Sequence, residues 1–261
     1  MMYLQATLWA EFLKARRSKM PGITALGFLL IPLALGLFMY ILKDPESARS
    51  MGIISVKAQI AVGVADWPTL LNVLIQALAG GGAVLFALVT SWVFGREFSD
   101  HTAKDLLALP APREATVLAK FAVIMVWAAG LAVEAFVLGI AVSALVGIPG
   151  WSEALAWQAA ASAVAVFGLT LATMPMVALF ASIGRGYLAP MGWMFLTMAF
   201  GQLAVVLGWG SWFPWSVAML LAAGGSRAAD IGAHSIVAVA LVCVLGIAGT
   251  LAWWRYADQT R

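Results

Sequence analysis

The sequence predicts an all-α, polytopic membrane protein with six transmembrane helices, and three observations predict it. The 261 residues are 63% hydrophobic and 10% charged, with a mean hydropathy of +0.97. A soluble domain carries about 25% charged residues, so a water-exposed fold of this size would lack the polar surface to cover itself, and a bilayer has to solvate much of it. Apolar runs of about 20 residues or more, enough to cross ~30 Å of hydrocarbon, recur along the chain. Lys and Arg are spread unevenly over the breaks between these runs, as topology-setting charges are. The whole of residues 1–261 is expected to form one membrane domain.

Each element follows from its local sequence. The N-terminal stretch MMYLQATLWAEFLKARRSKM is amphipathic, with its basic cluster after the apolar positions. That order is not that of a cleavable signal, and the apolar run that follows is too long for a signal core. Leu4, Leu8 and Phe12, with Trp9 and Ala15 nearby, group on one helical face, while Glu11, Lys14 and Arg17 lie elsewhere. The pattern suits an interfacial helix lying on the membrane ahead of the first span; a basic tail that only sets topology fits the same residues.

The first span is expected at residues 20–42, with Pro32 kinking it as membrane helices tolerate. Residues 43–68 are mixed in character and read as a loop with a short surface helix. The second span is expected at 69–94 and contains the run Gly80-Gly81-Gly82, which reads as a place of close helix packing. The third, 115–146, exceeds one crossing, so its start is expected to run along the interface before turning in. Gly147-Ile148-Pro149-Gly150 is a tight turn. The fourth span, 153–183, holds Pro175; the very short link Gly184-Arg185-Gly186 leads to the fifth, 187–207. The last, 234–254, ends on Trp253, Trp254, Arg255 and Tyr256, an aromatic and basic anchor. Between them, 208–225 has three tryptophans around Phe213-Pro214 and too short an apolar stretch to cross; it reads as a re-entrant or interfacial element, or as an aromatic belt ending the fifth span.

With six crossings both termini share a side. That side would hold eleven of the Lys and Arg residues and the opposite side four, Lys43, Arg49, Lys57 and Arg227. The asymmetry makes the termini cytoplasmic and places the protein in the cell membrane. A net charge of +3 then reflects topology and gives no reason to expect nucleic acid. Cys243 is the single cysteine, so an intrachain disulfide is impossible and no metal cluster can rest on thiolates.

The segment WVFGREFSDHTAKDLLALPAPRE, residues 92–114, is polar where its neighbours are apolar. Thr102 and Asp105 form a T-x-x-D capping pattern. Leu106, Leu107 and Leu109 follow, and Pro110 and Pro112 stop any helix from continuing into the third span. A short cytoplasmic helix of about two turns is predicted, leucine-rich on one face and charged on the other. A plain connection would need neither a cap nor exposed leucines; this one reads as a docking knob for a soluble partner.

Glu97, Thr102, Leu106, Leu107, Pro110, Arg113 and Lys120 resemble a pattern E-x(4)-T, leucines, P-x-x-R, then a lysine where the third span begins. It is that of ABC-2 type permeases, the membrane subunits of type V ABC exporters, and most resembles their small branch of antibiotic and lantibiotic efflux or immunity subunits. The chain departs from the pattern at His101, where the family often has Gly. The resemblance implies a coupling helix that fits a cleft on a separate ABC ATPase, with Asp100, His101, Lys104 and Arg185 completing the coupling surface. No G-x-x-x-x-G-K-[ST] loop is present, so the chain is expected not to be an enzyme: ATP and Mg would be bound by two copies of the partner ATPase, not by this chain. A second permease copy, identical or related, is implied too. Glu97 and Arg113 are expected to tie the two ends of the short helix to the spans, so that reversing either charge impairs coupled ATP hydrolysis in a protein that still inserts. The family's pathway is lined by the second and fifth spans, which here offers Asn72, Gln76, Gly80, Met194, Thr197, Met198 and Gln202. An amphipathic or lipid-like cargo, such as a peptide antibiotic, fits a pathway with few fixed charges.

Other residues offer less. Glu134 is the one ionisable group deep in a span, where carboxylates are costly and often functional; a protonated, hydrogen-bonded structural role fits it equally. His101 and His234 fall on opposite sides and cannot share a metal. Met174, Met176, Met191, Met194 and Met198 could grip an apolar cargo or a metal, and ordinary packing is favoured over both. No clustered polar residues suggest an intramembrane enzyme. A scaffold or sensor that recruits a partner other than an ATPase is the alternative reading of the knob.

Overall fold

The structure, a computed structural model, describes residues 2–50, 52, 64–100, 102 and 112–256. Among the described residues it is helical without strands. An N-terminal helix, Met2–Arg17, precedes six helices long and apolar enough to cross a membrane: Met20–Lys43, Trp67–Ser99, Arg113–Val146, Glu153–Ile183, Leu188–Val206 and Ala233–Tyr256. These are the first to sixth spans of a multi-pass membrane protein. Short helices at Pro45–Ser50, Pro214–Ala223 and Gly225–Ala229 fill the connections.

Local chemistry sets the boundaries. Asp66 caps the second span by accepting from the Thr69 N–H at 2.9 Å, and Ser152 caps the fourth by accepting from the Leu155 N–H at 3.2 Å. The third span stops at Gly147, whose φ of +67° is cheap only for glycine.

The spans pack into a bundle with two distinct poles. At one, Lys43 Nζ donates to the Val146 and Gly147 carbonyls, and the Trp67 ring meets Trp151 edge-on at 4.6 Å. At the other, the N-terminal helix lies against the third span, and the ends of the second, fourth and sixth spans converge. The start and the end of the described chain lie at this second pole, as an even number of crossings requires.

Two expectations need correction. The third span does not turn in from the interface: it is one unbroken helix of 34 residues. At 1.5 Å per residue it is about 50 Å long, longer than one crossing needs, and its first turns, from Ala115 to Lys120, are largely buried where it packs on the N-terminal helix. The glycine run of the second span is not a point of close packing either. Leu78–Gly82 forms a π-helical turn, and a Cβ on Gly80 would meet nothing within 4 Å. Three glycines make the wider turn accessible, and such turns gather at functional sites. The N-terminal helix keeps Leu4, Trp9 and Phe12 on the outside, as an interfacial helix does, and only Ala15 of its apolar positions turns inward, along with Glu11.

The element before the last span is a compact unit. Pro214–Ala223 is too short to cross, and Ser216, Val217, Ala218, Leu220 and Ala222 are buried against the second, fourth, fifth and sixth spans. Ser216 donates to the Gly210 and Phe213 carbonyls, and Ser235 donates to Ser211, which pins the turn to the sixth span. The element is folded into the bundle, with Trp209 and Trp212 left exposed beside it.

Glu134 lies on a half-buried flank of the third span, with no hydrogen bond or ion pair among the described residues. No contact among the described residues depends on its charge. Glu134→Gln is therefore expected to leave the melting temperature unchanged; a clear fall would reveal a structural partner.

Candidate functional site

The polar segment is rooted in a buried cluster of charges. Lys120 begins its helix turn among Ala119, Val123 and Ile124 and is fully buried, as is nearly all of Glu97 at the end of the second span. An ammonium taken out of water needs all three N–H groups matched. Lys120 Nζ donates to Glu97 Oε1 at 3.0 Å, to Glu11 Oε2 at 3.1 Å and to the Val93 carbonyl at 3.0 Å. Lys14 Nζ closes the ring, donating to Glu11 Oε1 at 2.7 Å and Glu97 Oε1 at 2.9 Å. Two carboxylates and two ammoniums cancel. The cluster therefore joins the N-terminal helix, the second span and the third span at one point.

Thr102 completes it. Its hydroxyl donates to Glu97 Oε2 at 2.8 Å, so the first residue of the expected T-x-x-D pattern is tied to the carboxylate five residues before it. Burial disfavours a charge on Lys14, but the Glu11 and Glu97 carboxylates outweigh it and hold the ammonium above the ordinary lysine range. Its contribution is thus fully present below pH 10.5 and fades only as pH rises through the raised value.

Arg113, at the far end of the segment, is anchored to the sixth span. Its Nη1 donates to the Trp254 and Arg255 carbonyls at 3.2 and 3.1 Å, in the last turn of that helix. Cations suit helix C-termini because the final carbonyls lack partners. Trp254 in turn donates to Ser182 at 3.0 Å, which carries the anchor on to the fourth span. Asp100 is exposed and paired with Arg96 at 3.6 Å. Arg185 has a positive φ of 48°, and its neighbour Gly186 lies so close to Gly95 that a Cβ there would fall 2.9 Å from the Gly186 carbonyl oxygen. His101, Lys104, Asp105, Leu106, Leu107, Leu109 and Pro110 lie outside the described residues, and so does the short helix expected there.

A second feature opens between the second, fourth and fifth spans and the Pro214–Ala223 helix. It is a cavity of about 110 Å³. Gln76, Gly80, Met194, Met198 and Gln202 line it, with Trp215 and Arg227. The π turn aims Gly80 at this space. Two residues expected on the wall are elsewhere. Thr197 is buried and its hydroxyl donates back to the Trp193 and Met194 carbonyls. Asn72 is exposed one turn before Gln76 and accepts from its amide.

The residues that sequence reasoning missed are Glu11 and Lys14. Their signal was present: Glu11 shares a helix flank with Ala15, and Lys120 is a cation inside an apolar stretch, which demands a carboxylate partner. Neither signal names the partner, because the bonds join residues 83 and 109 positions apart.

Comparison with known proteins agrees with this architecture. The family model described as ABC-2 family transporter protein matches residues 7–202. The bacitracin transport permease protein BCRB of Bacillus licheniformis is 24% identical over 186 residues, covering 68% of this chain and 85% of the relative. No solved structure matches the chain. With three quarters of its length inside the family model, the protein belongs to the ABC-2 family of transporter permeases, the membrane subunits of ABC transporters.

Proposed function

We propose that the chain is the permease of an exporter driven by a separate ABC ATPase, and that force enters through residues 100–112. The observation that carries this reading is the buried cluster. Glu97 and Thr102 fix the start of the segment to the second span, the third span and the N-terminal helix, while Arg113 fixes its end to the sixth. A push on the segment therefore cannot be absorbed locally. It moves several spans together, among them the second, whose π turn faces the cavity.

In this reading two ATPase copies bind ATP and Mg and press on two permease copies, with both termini cytoplasmic. The cargo is amphipathic. The cavity offers methionine and tryptophan surface beside the Gln76 and Gln202 amides, and a relative is named for bacitracin transport, which favours a peptide antibiotic. Methionines suit such a site because they repack around varied shapes.

Purification in mild detergent with a co-expressed ABC ATPase tests the reading. The ATPase is expected at equal stoichiometry, and Leu106→Asp with Leu107→Asp should release it. Arg113→Glu should retain the ATPase but lower cargo-stimulated hydrolysis by about tenfold, since one charge-assisted anchor of ~1.5–3 kcal/mol is lost. A permease that never associates with an ATPase would favour the scaffold alternative.

A further inference from the structure

The N-terminal helix presents an outward face that the bundle leaves uncovered. Trp9, Phe12, Leu13, Arg16 and Arg17, linked by steps of three or four residues (9 to 12 and 13, 12 to 16, 13 to 16 and 17), lie on the side opposite buried Glu11 and Ala15. Trp9 is 68% exposed and Phe12 37%. A helix docked beside water would turn these rings inward and Glu11 outward. Here the order is reversed, which is stable only if the outer face meets an apolar phase.

The charges say which phase boundary. Among the described residues, no carboxylate lies within ion-pair range of Arg16, Arg17 or Lys19. Lys14 and Glu11, by contrast, are already committed to the internal cluster. The first span begins at Met20, directly after Lys19. The three free cations thus sit within about one turn of the point where the chain enters the bilayer, at headgroup level, beside rings on the same helix face.

We infer that this face is a binding surface for anionic phospholipid headgroups: Trp9, Phe12 and Leu13 insert among the acyl chains, and Arg16, Arg17 and Lys19 take the phosphates. The charge complementarity commits the surface to an anionic leaflet rather than to lipid in general. Because the opposite face of the same helix supplies Glu11 and Lys14 to the cluster, lipid that holds the helix also holds the cluster in register. This last step rests on the proposed coupling function; the lipid surface itself does not.

The test uses the full chain in bilayers of phosphatidylcholine containing either spin-labelled phosphatidylglycerol or spin-labelled phosphatidylcholine. The wild type should associate preferentially with phosphatidylglycerol, by a factor of about five for each engaged cation at most, and salt should weaken the preference. The triple variant Arg16→Gln, Arg17→Gln, Lys19→Gln should lose it at unchanged melting temperature, and Arg16→Lys, Arg17→Lys, Lys19→Arg should keep it. Equal association of both lipids with the wild type, or an undiminished preference in the Gln variant, overturns the proposal and leaves the basic turn to a protein partner. With the ATPase present, phosphatidylglycerol should raise coupled hydrolysis in the wild type only. Absence of any coupled hydrolysis in either lipid would refute the proposed function while leaving the lipid measurement standing.

Discussion

Lys120→Met is expected to destabilise the protein by about 3–5 kcal/mol, because it leaves two buried carboxylates facing a single ammonium. Glu97 and Glu11 both lose a donor, and the Val93 carbonyl loses its partner too. The melting temperature in detergent and the yield of inserted protein should both fall sharply. A second variant separates folding from transmission. Lys120→Met with Glu11→Gln restores charge balance, since Glu97 still has Lys14 at 2.9 Å. Replacing buried ion pairs by neutral groups often recovers stability, so this double variant should melt nearer the wild type. It should nevertheless remain poor in coupled hydrolysis, because the N-terminal helix and the third span are no longer joined through Lys120. If the single variant melts and couples like the wild type, the cluster is neither a structural nor a transmitting element.

How much of this was legible in the sequence depended on distance along the chain. The six spans could be read to within a few residues, because a crossing is a local property: about 20 consecutive apolar residues with polar ends. The second span runs on to Ser99, five residues past its apolar part, since Gly95 and Glu97 face protein and not lipid. Periodicity finds the N-terminal helix and its lipid-facing side, since Leu4, Trp9 and Phe12 are exposed as an interfacial helix requires; it does not show that Glu11 and Ala15 are buried against the bundle. Glu97 and Arg113 stood out as the ends of the polar segment. Their partners did not, because Lys14 reaches Glu97 from 83 positions away and Arg113 binds backbone carbonyls that any sequence would supply. The glycine run shows the same limit from another side. Three glycines permit close packing and equally permit a wide turn, and only the empty space beside Gly80 decides between them.

Gly246→Leu should prevent the fourth and sixth spans from docking, and it has the largest effect expected of any single glycine. Without a hydrophobic drive between helices in lipid, association rests on van der Waals fit and close backbone approach. At Gly246 the approach is of backbone to backbone. A Cβ there would fall 2.6 Å from the Met176 nitrogen and 2.6 Å from the Pro175 carbonyl carbon, neither of which can rotate away as a side-chain tip can. Pro175 shapes the facing surface, and the Thr250 hydroxyl, donating to the Gly246 carbonyl at 2.7 Å, lies one turn further on. Even Gly246→Ala should cost about 1–3 kcal/mol as an overpacked contact, and leucine more, since the helices would have to part. Separation would reach the functional end as well. Trp254, which accepts Arg113 through its carbonyl and donates to Ser182, rides on the same helix two turns below. Gly168→Ala on the fourth span is the matched control. A Cβ there meets nothing within 4 Å, and alanine in a helix interior is worth about 0.5–1 kcal/mol over glycine. Thermal unfolding in detergent should therefore rank Gly168→Ala at or above the wild type, Gly246→Ala below it, and Gly246→Leu without a cooperative transition. A Gly246→Leu protein that melts like the wild type would mean that the two spans do not meet at Pro175.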